Sequence, residues 1–232
     1  MANTSQIGHA EKIVGLLLAV AAILSAGPAA ARTPTVVMLG DSVTAGYGLA
    51  AADALPIQLQ VALARLGHPA VVVSAGVSGD TTADALARAD FSVPAATDLC
   101  VVELGGNDLL QGVDPSLIRR NLEAIVRRLK VHGVRAVIVG VSAPPQVGAD
   151  YARDFDAAFT AAAKDTQTPL FADWLAVVPR ALRQADGLHP NPKGVQALAA
   201  ALAPFVIKSL KSATVGHRQG LAAPVRGNGA SV

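Results

Sequence analysis

The sequence predicts an α/β fold: a doubly wound three-layer α/β/α sandwich on a five-stranded parallel sheet. Three observations predict it. Five short runs are continuously apolar, as strands buried on both faces of a parallel sheet are. Amphipathic stretches of helical spacing alternate with them, and that alternation builds a parallel sheet flanked by helices. The 232 residues suit one α/β domain better than two.

The apolar runs are 35–40, 70–74, 99–104, 135–141 and 169–172. The helical patterns follow them at 55–66, 82–89, 115–131, 151–164 and 192–210. In such a sheet the functional site lies beyond the carboxyl ends of the strands. The residues after each strand therefore carry the most information.

Composition removes several classes of function. A single cysteine excludes a disulfide framework and a cysteine-built zinc site. That residue, Cys100, sits in an apolar run and reads as an inert buried thiol. Aromatics are only 3% of the chain, which argues against recognition of nucleic acid by base stacking. The net charge is +2, but Lys211, Arg218 and Arg226 place +3 in residues 211–232 and leave −1 on 32–210. The core thus has no basic face for a nucleic-acid backbone.

The termini read as separate segments. Residues 13–26 are apolar or weakly polar and shorter than the roughly 18–20 residues of a spanning helix. Lys12 precedes the run, Gly27-Pro28 breaks it, and Ala29-Ala30-Ala31 meets the small-x-small cleavage rule. Residues 1–31 read as a secretory signal peptide cut after Ala31, with export to the periplasm or medium; an uncleaved anchor is the rival. No cysteine follows the run, which argues against a lipoprotein. Residues 211–232 lack periodicity and read as a disordered basic tail after a domain spanning 32–210.

Four turns stand out. Gly40-Asp41-Ser42-Val43-Thr44-Ala45-Gly46-Tyr47-Gly48 follows the first strand. It is neither a Walker loop nor a dinucleotide fingerprint, because the required Lys and third Gly are missing. Ser42 there is an exposed nucleophile or a helix cap. Gly76-Val77-Ser78-Gly79-Asp80-Thr81-Thr82 follows the second strand and offers backbone N–H groups that could hold an oxyanion, or a simple capped turn. Ser78 is a rival nucleophile, although Asp80 stands where the G-x-S-x-G pattern needs Gly.

Glu103-Leu104-Gly105-Gly106-Asn107-Asp108 follows the third strand, and Asn107 supplies a neutral NH₂ donor or merely forms a turn. Asp186-Gly187-Leu188-His189-Pro190-Asn191 precedes the last helix. Of five histidines, His189 alone stands in a constrained turn beside an acid, so it reads as the general base. Asp186 reaches it only if the segment folds back, which Gly187 and Pro190 permit. Two ligands without a third make a poor metal site.

Taken together, these four blocks resemble the SGNH superfamily of GDSL hydrolases, over about residues 35–210. The likeness is closest to the bacterial thioesterase I, lysophospholipase and arylesterase group. It implies a flavodoxin-like five-stranded sheet, no metal or other cofactor, and an ester or thioester substrate. It further implies Ser42 as nucleophile, His189 as base and Asp186 as the acid that orients it. Ser42 N–H, Gly79 N–H and the Asn107 side chain become the oxyanion hole, and Ser78 drops out. Residues 142–148 align with a variable loop that faces substrate. The rivals are a carbohydrate O-deacetylase of the same fold, a silent lipid- or glycan-binding module, and a flavin- or nucleotide-binding protein; Asp41 would repel phosphate in the last.

Overall fold

The computed structural model describes residues 32–216, and the fold lies in the compact unit that begins at Pro34. The segment read as a signal peptide and residues 217–232 lie outside the described residues. Five parallel strands form one sheet: β1 (Thr35–Gly40), β2 (Val71–Gly76), β3 (Leu99–Glu103), β4 (Arg135–Val139) and β5 (Leu170–Phe171). Their order is β2-β1-β3-β4-β5. The chain moves outward from β1 to β2, then returns to the other side of β1 for β3. The crevice of such a sheet opens at this reversal, between the carboxyl ends of β1 and β3.

The helices are α1 (Ser42–Ala45), α2 (Leu55–Arg65), α3 (Thr82–Ser92), α4 (Gly106–Gln111), α5 (Pro115–Val131), α6 (Ala149–Asp165) and α7 (Pro192–Gly216). α2 and α7 pack together, while α3, α5 and α6 pack in sequence. Between the layers, β3 is buried throughout and β1 beyond Thr35, as their apolar runs predict. Strand β2 departs from that expectation: Val72 is buried, but Val71 and Val73 are about half exposed. It is an edge strand, so one of its faces is incompletely covered. α7 is apolar and long enough over Pro192–Lys211 to cross a membrane. Its Val195, Leu198, Leu202 and Val206 are instead fully buried in this core.

Several boundaries differ from the sequence reading, and two of them have clear local reasons. α7 runs to Gly216 rather than ending at residue 210, since no Gly or Pro interrupts the chain between Pro204 and Gly216. The strand after α6 shrinks to Leu170–Phe171, because Pro169 has no N–H to donate to a ladder.

Close approach of backbone fixes one glycine beside the crevice. A Cβ on Gly40 would lie 2.1 Å from Thr44 Oγ1 and 2.8 Å from the Glu103 carbonyl oxygen. Gly40→Ala is therefore expected to overpack the β1–α1 turn and cost about 1–3 kcal/mol. Thermal unfolding checks this, and an unchanged melting temperature would contradict it.

Candidate active site

The site assembles from the turns after β1, β2 and β3 and the segment before α7. Asp41 caps α1: its Oδ1 accepts the Val43 N–H at 3.0 Å. That turn leaves Ser42 half-buried at the mouth of the crevice. The segment from Asp186 to His189 does fold back. Asp186 Oδ1 accepts from the amides of Leu188 (2.8 Å) and His189 (3.1 Å), and Gly187 adopts φ +72°, where a side chain would be strained.

This fold brings three side chains into a line. His189 Nδ1 lies 2.7 Å from Asp186 Oδ2, and His189 Nε2 lies 2.8 Å from Ser42 Oγ. A carboxylate only accepts, so Nδ1 carries the proton and Nε2 is left as the acceptor facing the Ser42 hydroxyl. The bond from His189, with help from the Leu188 and His189 amides, holds the Asp186 carboxyl below its usual pKa. Asp186 therefore stays ionised well into acid. Tyr47 lies against the imidazole, ring centroids 4.7 Å apart. Gln184 donates to the Tyr47 and Pro190 carbonyls (2.8 and 3.0 Å), tying the nucleophile turn to the histidine turn. Neither Tyr47 nor Gln184 was assigned a contact by the sequence; both depend on elements far apart in the chain.

Asn107 is half-buried on the first turn of α4, and its Nδ2 donates to the Asp80 carbonyl at 2.9 Å. That bond joins the turn after β3 to the turn after β2. Gly79, one residue earlier, is exposed on that same turn at φ +94°. Arg88 of α3 holds the Asp80 turn in place. It pairs with Asp80 Oδ2 at 2.6 Å and donates to the Ala75 and Gly40 carbonyls at 2.9 and 3.0 Å. Asp108, beside Asn107, accepts from Thr82 N and Oγ1 (2.9 and 2.6 Å) and fixes α4 against α3. Burial raises its pKa.

A cavity of about 560 Å³ opens beside Ser42 and His189. Its far wall is largely apolar, with Leu109, Val141, Pro144, Val147, Trp174 and Leu175. The predicted substrate-facing loop thus supplies part of the wall. The wall is mainly aliphatic, and the chain's one tryptophan is also part of it. Trp174 and Leu175 carry no sequence signal, because the segment around a short 3₁₀ turn (Leu175–Val177) has no periodicity to read. Remote from this site, Cys100 is fully buried and its thiol is pushed up to about 12, as its inert reading anticipates.

A parallel α/β sheet with Ser, His and Asp aligned at its switch point defines a hydrolase of the serine-nucleophile type. The chain belongs to the GDSL-like lipase/acylhydrolase family, whose model matches residues 38–197. It is 35% identical over 164 residues to the esterase TesA of Pseudomonas aeruginosa, spanning 69% of this chain and 81% of that one. It is 33% identical over 166 residues to thioesterase 1/protease 1/lysophospholipase L1 of Escherichia coli, spanning 70% and 78%. Among solved structures, the SGNH-hydrolase family esterase AlinE4 matches with a TM-score of 0.65 and 39% identity, covering 78% of this chain and 99% of that one.

Proposed function

We propose that this chain hydrolyses carboxylic esters and thioesters through an acyl-enzyme on Ser42. The observation that carries the reading is the hydrogen-bonded line from Ser42 Oγ through His189 to Asp186, at 2.8 and 2.7 Å. His189 takes the Ser42 proton as Oγ attacks the carbonyl carbon. The tetrahedral oxyanion is held by Ser42 N–H, Gly79 N–H and the Asn107 amide. His189 then protonates the departing alcohol or thiol, and water releases the acyl group by the reverse steps. Asp186 orients the imidazole and offsets its charge. The apolar wall supports an aliphatic acyl chain. Aryl esters, lysophospholipids and acyl thioesters all fit this chemistry. The run at residues 13–26 supports export to the periplasm or medium.

A p-nitrophenyl ester series from acetate to palmitate tests the reading, with Ser42→Ala as the blank. Each buried methylene contributes about 0.8 kcal/mol, so kcat/KM should rise up to about fourfold per CH₂ until the cavity fills. Strict preference for acetate would indicate a deacetylase, and no turnover at any length a silent binding module. The acid side of the pH profile checks the base. His189 must be neutral to accept a proton, and the Asp186 carboxyl is held ionised into acid. The rate should therefore fall toward acid. A rate that does not fall toward acid would contradict His189 as base.

A further inference from the structure

Two buried acids border the cavity beside Ser42 and take no part in the mechanism above. Asp41 and Glu103 are 3% and 2% exposed. They stand at the ends of neighbouring strands, since Gly40 is in register with Glu103. Glu103 Oε2 accepts the Thr44 hydroxyl at 2.8 Å, which ties α1 to the end of β3. Asp41 Oδ1 holds the Val43 amide, while its Oδ2 faces Asn107 Nδ2 at 3.5 Å. The pair thus touches both the turn carrying Ser42 and the turn carrying Asn107, across the point where strand order reverses.

We propose that Asp41 and Glu103 are positioning residues, a one-proton clasp that holds the Ser42 turn against the Asn107 turn; the inference rests on the roles proposed above for those two residues. Two neighbouring carboxylates in a buried site do not both ionise. Burial pushes Asp41 up to about 6, and burial together with the neighbouring Asp41 charge pushes Glu103 well above its ordinary range. Near neutral pH, Glu103 therefore keeps the proton and donates it to the Asp41 carboxylate. Of the charged groups around them, His189 favours the Asp41 anion and Asp108 of α4 opposes it. Arg88 of α3 is engaged with Asp80 and the Gly40 carbonyl rather than with either acid. A purely apolar filler would keep the turns apart equally well, but could not accept from Thr44 and donate to Asp41 together.

The test compares kcat and KM on p-nitrophenyl butyrate. Glu103→Ala should lower kcat by about 10- to 100-fold with KM within about twofold, as misplacement of reacting groups does. Glu103→Gln should restore kcat to within about threefold of wild type, because an amide still accepts from Thr44 and donates to Asp41. Asp41→Asn should not be rescued, since its NH₂ would oppose the Asn107 amide. A Gln variant no better than Ala, or wild-type kcat in all three, would overturn the clasp. If the Ala variant does not fold, Thr44→Val removes one bond of the clasp and should lower kcat severalfold; an unchanged kcat there would overturn it too. Ser42→Ala run in parallel separates the two ideas: residual turnover in it defeats the triad reading, whereas a dead Ser42→Ala beside wild-type clasp variants defeats the clasp alone.

Discussion

Ser42→Ala is expected to lower kcat on a p-nitrophenyl ester by about 10⁴-fold or more, with KM little changed. The expectation follows from the shared task of the three aligned side chains. Without Oγ there is nothing to acylate; without His189 the hydroxyl stays protonated and unreactive. His189→Ala should cost a similar factor, and the double variant little more than either single one, because groups that act as a unit are not additive. The fold should survive, since the Ser42 hydroxyl bonds only to His189 among the described residues. Steady-state kinetics with a thermal melt of each variant checks this. Additive losses, or a folded Ser42→Ala with substantial turnover, would show that another nucleophile operates.

Asn107→Ala should lower kcat by about 10²–10³-fold, the usual effect of losing one oxyanion donor. KM should move little, because the charge this donor meets exists only in the transition state. Asn107 Nδ2 also donates to the Asp80 carbonyl at 2.9 Å, so the same change frees the turn that carries Gly79. Loss of that bond should cost about 1 kcal/mol of stability, far less than the effect on rate. The kcat/KM split with a melt of the variant separates the two contributions. A variant retaining near-full kcat would show that the hole is built from other donors.

How much of this was legible in the chain varied with the length of the pattern. The apolar runs of β1, β3 and β4 and the seventeen-residue α5 were readable, because period and composition persist over many residues. α1 and α4 were not, since four and six residues are too few to display a 3.6-residue period. Both matter to the site, for one begins at Ser42 and the other contains Asn107. Glu103 was visible only as a charge at the end of an apolar run. Its tie to Thr44 crosses 59 residues of sequence and had no local signal.

The sequence by itself determined the order of strands and helices, and it marked the four turns with their Ser, Gly, Asn, Asp and His. It could do so because turn chemistry and hydrophobic period are local properties of the chain. Only the tertiary structure decided that Ser42 and His189, 147 residues apart, come within 2.8 Å. The same packing buried Asp41 beside Glu103 and raised an apolar wall from segments with no period of their own. The physical reason is that strand order and helix packing fix such distances, and both emerge from burying all the apolar faces at once.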